Sequence, residues 1–158
     1  MAFEKAKAHL EKYALADRIR LFDTSSATVA LAAAALGCEE AHIAKTLSFS
    51  TPDGALLVVM AGDAKVDNRK FKDKFSAKPK MLGFDEVEPL IGHAVGGVCP
   101  FGINEGVKVY LDESLRRFDI VYPAAGTANS AVKLSISELE RASELSEWVD
   151  VVRLPENE

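Results

Sequence analysis

The sequence predicts one mixed α/β domain, and three observations carry that prediction. Apolar residues recur at helical spacing in some segments and at alternate positions in others. The two kinds of segment interleave along the chain, with short turns between them. The chain has 158 residues, 48% of them hydrophobic and 27% charged. That is enough for one full-sized core beneath an ordinary solvated surface.

Phe3, Ala6, Leu10, Tyr13 and Ala14 recur at helical spacing, so residues 3–16 read as an amphipathic helix. Arg18 to Phe22 alternates and reads as a strand. Ser25 and Ser26 then offer helix N-caps, and Gly37 offers a C-terminal stop. Between them Thr28 to Leu36 is apolar all round, which predicts a helix packed on several sides. Ile43 to Ser50 reads as a strand, Pro52-Asp53-Gly54 as a turn and Ala55 to Ala61 as a second strand. Residues 43–61 are therefore a predicted hairpin.

Asp67 can cap a helix from Asn68 to Phe75, and a shorter helix is predicted from Asp85 to Ile91 after Gly83. Val107 to Leu111, Ile120 to Pro123 and Val132 to Ile136 read as strands. Ser137 opens a last helix, Glu138 to Ser143, with Glu140 completing a capping-box pattern. Val149 to Leu154 reads as the final strand. No repeat, low-complexity tract or linker interrupts the chain.

Composition excludes several functional classes. No run of about 18 apolar residues occurs, so no membrane span is expected. The first residues lack the basic-then-apolar order of a signal peptide. Cys38 and Cys99 lie far apart and fit neither a disulfide framework nor a zinc site. A reducing, cytoplasmic setting is the expectation. The net charge of −5 argues against broad nucleic-acid binding through a basic surface. Residues 63–80, however, carry seven basic and three acidic residues. That segment could meet a phosphate backbone locally, or be a plain solvated helix face.

Four features could carry chemistry. The segment Gly96-Gly97-Val98-Cys99-Pro100-Phe101-Gly102 is too apolar for a solvated loop. Its glycines admit close approach of another molecule to the backbone, and its proline stiffens it. It reads as a half-buried turn whose amides face something small, or as a tight bend between core strands. Lys45 lies in an apolar strand, sharing a face with Ile43 and Leu47. It stands at a wet sheet edge or points into a cleft, where its ammonium would suit a phosphate or carbonyl oxygen. The run Ala124 to Ser130 offers hydroxyls and an amide for hydrogen bonding, or is an ordinary turn. His93 and Cys99 could form an acid–base or nucleophilic pair, or be packed structural residues. Spacing supplies no group to orient His93, and Cys99 reads better as a small pocket-lining hydrophobe. No Walker, nucleophile-elbow, dinucleotide or metal-ligand pattern occurs.

Taken in chain order, these pieces resemble a known family. Thr28-Val29 through Leu36-Gly37, Ile43-Ala44-Lys45-Thr46-Leu47, Gly96 to Gly102 and Gly126-Thr127-Ala128-Asn129 are similar to the YbaK/ProX family. These are prolyl-tRNA-editing domains and their free-standing relatives. The resemblance spans about Phe3 to the final helix. It implies one domain over residues 1–158, of α+β type. Its mixed, largely antiparallel sheet would be curled into a partial barrel and flanked by helices.

The resemblance further implies a hydrolase acting in trans on mischarged aminoacyl-tRNA. The expected substrate is tRNA for proline carrying alanine, serine or cysteine. Lys45 would hold the terminal adenosine or its phosphate, and the amides of Gly96 and Gly97 would position the aminoacyl carbonyl. Thr46, His93, Val98, Cys99, Pro100, Phe101, Gly102, Gly126, Thr127, Asn129 and Ser130 would bind substrate. Lys65, Arg69, Lys70 and Lys72 would contact the acceptor stem. Attack is assisted by the substrate itself, with no cofactor and no metal. The acceptor end of aminoacyl-tRNA is the implied partner, and a prolyl-tRNA synthetase or an elongation factor is the candidate protein partner. Two other readings stand beside this one. The first is a non-catalytic module of the same fold that holds aminoacyl-tRNA or an aminoacyl nucleotide. The second is a cysteine hydrolase built on Cys99 and His93.

Overall fold

A computed structural model describes residues 2–155. The mixed α/β domain forms, with helices flanking the sheet. The chain opens with helix α1 (Ala2–Glu11) and strand β1 (Ile19–Leu21). Helix α2 (Val29–Leu36) follows, then β2 (Ala44–Thr51), β3 (Gly54–Ala61) and β4 (Lys65–Val66). Helices α3 (Asn68–Phe75) and α4 (Phe84–Ile91) precede β5 (Lys108–Asp112) and β6 (Ile120–Val121). The chain continues through β7 (Ser130–Val132), β8 (Leu134–Ser135) and α5 (Ile136–Ala142). It ends with β9 (Glu147–Val149) and β10 (Val152–Arg153).

The central sheet runs β2-β3-β5-β9, with β2 at one edge. β2 and β3 form the predicted antiparallel hairpin, while β5 and β9 join in parallel. Three two-stranded ribbons, β1–β7, β4–β10 and β6–β8, are antiparallel. Antiparallel pairing therefore predominates, and the strands do not close into a barrel. β3 carries the core: residues 56–61 are buried on both faces, which is why they read as an unbroken apolar run. The rings of Phe49, Phe71, Phe75 and Tyr110 pack in succession, tilted or edge-on, with centroids 4.6–5.0 Å apart, fixing α3 against the sheet.

Local signals placed the helices, with instructive exceptions. Asp67 caps α3, accepting from Arg69 N–H and Lys70 N–H at 3.0 Å each. Gly37 ends α2 at φ +70. The cap of α2 is Thr28, which accepts from Leu31 N–H at 3.2 Å, and not Ser25 or Ser26. Ser26 instead donates through its N–H to Ala128 C=O at 2.6 Å, binding this stretch to the 124–130 loop.

α2 is not packed all round: Ala32 and Ala33 are buried, but Leu31 is 46% exposed. Alanine favours helix whether buried or not, so an all-apolar run did not mean an all-buried one. The last helix is capped by Ser135 with Glu138, two residues earlier than the predicted Ser137 with Glu140. Both pairs fit the capping pattern. Pairing of Ser135 with Ile120 at the end of β8 selects the first. Glu140 accepts from Trp148 Nε1 at 2.6 Å instead. The predicted final strand is split, because Asp112 Oδ2 accepts from Val151 N–H at 2.9 Å between β9 and β10.

Candidate functional site

A cavity of about 500 Å³ lies along β2, bounded by the N-terminal end of α2, residues 81–87, part of the glycine loop and residues 122–131. Such a volume suits a small-molecule ligand. Lys45, Thr46, Gly96, Val98 and Ser130 of the expected site residues border it. The titratable side chains on its wall, among the described residues, are Lys45 and Tyr122. Among the described residues no carboxylate, imidazole or thiol borders it.

Lys45 is half-buried: β2 is a sheet edge, as one reading expected, but the residue is not a water-exposed edge lysine, and it borders the cavity. Its amine donates to the carbonyls of Ala64 and Gly62, the latter at 3.4 Å. An ammonium has three donors, so one remains. Burial pulls its pKa below the usual lysine range; Asp63 opposes the shift and Lys65 adds to it. The turn that receives the amine is closely packed, because a Cβ on Gly62 would sit 2.0 Å from Glu40 C=O.

The glycine loop divides in two. Gly96 (φ +96) and Val98 border the cavity, and their amides have no hydrogen-bond partner among the described residues. Gly97 does not border it. Its N–H donates to Ala94 C=O at 3.0 Å, and a Cβ there would lie 2.6 Å from the Gly126–Thr127 backbone. The expected role of the Gly97 amide in holding a carbonyl is thus closed to it: this glycine lets two loops touch. Cys99, Pro100 and Phe101 are buried away from the cavity, and Gly102 packs against α1.

His93 and Cys99 do meet, with Sγ 3.5 Å from Nε2. Both are fully buried, and neither reaches the cavity. His93 Nε2 lies 2.6 Å from Phe101 C=O, so that nitrogen carries the proton and donates it. Burial pushes the thiol up to about 12 and the imidazole below its usual range. A neutral thiol without access to the cavity is a packing group, which removes the basis for the cysteine hydrolase.

The 124–130 loop also satisfies itself. Thr127 Oγ1 donates to Asn129 Oδ1 at 2.8 Å, and Asn129 Nδ2 donates to Phe22 C=O at 3.1 Å. Gly126, Thr127 and Asn129 do not border the cavity, whereas Ala124, Ser130 and Ala131 do. Of the expected tRNA contacts, Lys65, Arg69, Lys70 and Lys72 are all exposed and none borders the cavity. Lys70 is paired with Asp150 at 3.1 Å, and it also donates to Val152 C=O at 2.9 Å.

Sequence reasoning missed Ser26, Met81, Phe84, Val95 and Tyr122 on the cavity wall. Phe84 is 78% exposed at the rim. A large apolar residue opening a helix directly after its glycine cap was the available signal.

Residues 23–142 match the family model for the aminoacyl-tRNA editing domain. The chain belongs to that family. It is 43% identical over 154 residues to the uncharacterized protein YwhH of Bacillus subtilis (strain 168), covering 97% of this chain and 98% of that one. It is 28% identical over 113 residues to the proline–tRNA ligase of Bacillus cytotoxicus, covering 71% of this chain and 19% of the ligase. Among solved structures it is similar to a candidate trans-editing enzyme for prolyl tRNA synthetase. That match has a TM-score of 0.86 at 27% identity, over 96% of this chain and 97% of the other. Fold and family therefore agree with the resemblance read from the motifs.

Proposed function

We propose that this editing domain is an aminoacyl-tRNA deacylase. It cleaves the ester that joins a small wrong amino acid, such as alanine, serine or cysteine, to the 3′ end of tRNA for proline. One observation carries the reading: a single cavity is bordered by Lys45 and by Gly96 and Val98, whose amides have no hydrogen-bond partner among the described residues, and no Cys, His, Asp or Glu of the described residues borders it. Ester hydrolysis builds negative charge on the carbonyl oxygen. Fixed N–H donors stabilise that charge without reorganising, and one such donor is worth about 3 kcal/mol. The attacking group then comes from the substrate or a held water, positioned rather than activated by a side chain. Ala27, Ala32, Ala44, Ala124 and Ala131 line the wall, which suits a small side chain.

A deacylation assay over tRNA for proline charged with alanine, serine, cysteine and proline tests this. The expected result is rapid release of one or more small wrong residues and slow release of proline. A protein that binds these tRNAs and releases none of them is the non-catalytic module instead.

A further inference from the structure

The outer edge of β2 is covered only at its two ends. At one end Ala44 N–H donates to Tyr122 C=O at 3.1 Å, and Tyr122 N–H donates to His42 C=O at 2.9 Å. At the other, Ser50 N–H donates to Lys80 C=O at 2.8 Å, and Leu82 N–H donates to Ser48 C=O at 3.1 Å. Main-chain groups of alternate residues face outward in a strand, here Ala44, Thr46, Ser48 and Ser50. Between the covered ends, Ala44 C=O, Thr46 N–H, Thr46 C=O and Ser48 N–H have no partner among the described residues. Thr46 Oγ1 is also buried without one. All three residues border the cavity.

Polar backbone groups at a cavity wall must be met by water or by a ligand that replaces it. The open run reads acceptor, donor, acceptor, donor. It lies between two occupied stretches of edge and is too short to take an added peptide strand. A small planar ring with a donor beside an acceptor fits it, which describes the edge of a nucleobase. On either side of Leu82 in the chain, Met81, 55% exposed, and Phe84, 78% exposed, border the same cavity. An exposed aromatic face at a cavity rim offers the stacking surface that a base requires.

We propose that the open edge of β2 reads the adenine of the 3′-terminal nucleotide. Thr46 C=O accepts from the exocyclic N6 amine, Thr46 N–H donates to the ring nitrogen beside it, and Phe84 covers the face of the ring. The identity of the nucleotide rests on the deacylase reading; the hydrogen-bonding pattern and the stacking face do not.

The test is binding of adenosine to the full chain, followed through the backbone amide signals of Thr46 and Ser48. Adenosine is expected to shift both. Purine riboside, which lacks the N6 amine, is expected to bind about fivefold more weakly. Phe84→Ala is expected to weaken adenosine about tenfold, and Phe84→Trp to retain it. Phe84 is exposed, so its replacement leaves the fold intact. The proposal is overturned if millimolar adenosine leaves the Thr46 amide unmoved, if purine riboside binds as tightly, or if Phe84→Ala binds as wild type does. Deacylation is measured separately on the same proteins. Cleavage that ignores both Phe84 and N6 sinks the base site and leaves the hydrolase standing. Adenosine bound on the edge without any ester cleavage does the reverse.

Discussion

The two halves of the glycine loop make opposite use of the same kind of sequence. Gly96 and Val98 border the cavity, and their amides are unengaged among the described residues. Only a few residues on, Cys99, Pro100 and Phe101 are core, and Gly102 lies against the Lys5 carbonyl. In the first half the amides stay unpaired beside a cavity, with a side chain missing only at Gly96. In the second a missing side chain lets backbone pack on backbone. A run of small and apolar residues is compatible with either use, so the division is set by what packs behind the loop.

Substitutions at the two ends of that contrast have effects of different kinds. The largest is expected at Gly102, where a Cβ would stand 2.4 Å from Lys5 C=O and φ is +65. Gly102→Ala should cost about 3 kcal/mol and lower Tm by roughly 10 °C. Gly37 has nearly the same φ, +70, but open space around it. Gly37→Ala should therefore cost only about 1 kcal/mol. Equal melting losses for the two would break the claim that the second half is a packing device.

On the cavity side, Lys45→Ala should lower kcat/KM for deacylation about 100-fold while the protein stays folded. Unchanged turnover would remove Lys45 from the site. Cys99→Ala should behave in the opposite way, losing about 1–2 kcal/mol of stability with deacylation within a few-fold of wild type. The Cys99 thiol, pushed up to about 12 and fully buried, should also resist alkylation in the native protein at pH 8. Mass mapping is expected to find label on the partly exposed Cys38 alone until denaturant is added.

The smallest effect sharpens the contrast through pH. His93 is buried and its pKa is lowered, chiefly by desolvation. Above about pH 6.5 the imidazole is neutral whether the chain is folded or not, so it costs nothing. Below that the unfolded chain takes up a proton which the folded chain refuses, and stability falls. The slope is at most about 1.4 kcal/mol per pH unit. Denaturant titrations at pH 7 and pH 5.5 should show this loss in the wild type and a smaller one in His93→Gln.

Much of the fold was legible because its signals are local. Asp67 caps its helix, Gly37 ends one, and Pro52-Asp53-Gly54 makes the hairpin turn, each through neighbours a few residues away. The capping pair of the last helix was misplaced because two serine–glutamate pairs share the spacing, and distant pairing with Ile120 chose between them. Among the residues bordering the cavity, Lys45 and Gly96 were legible as residues unusual for their setting, while Thr46, Val98 and Ser130 came in through the family resemblance. Gly97, Gly126, Thr127 and Asn129 carried the same signal but serve contacts between loops and chain segments.

Residue order alone determined the class of fold, the hairpin, the existence of the helices and the motifs by which the family is recognised. Those depend on spacing, propensity and turn chemistry, which act over a few residues. Tertiary structure alone decided which glycines are open, that Cys99 is sealed from the cavity, and that Thr46 stands on an uncovered stretch of sheet edge. Each of those is settled by segments tens of residues apart meeting in space, and short-range chemistry carries no record of such meetings.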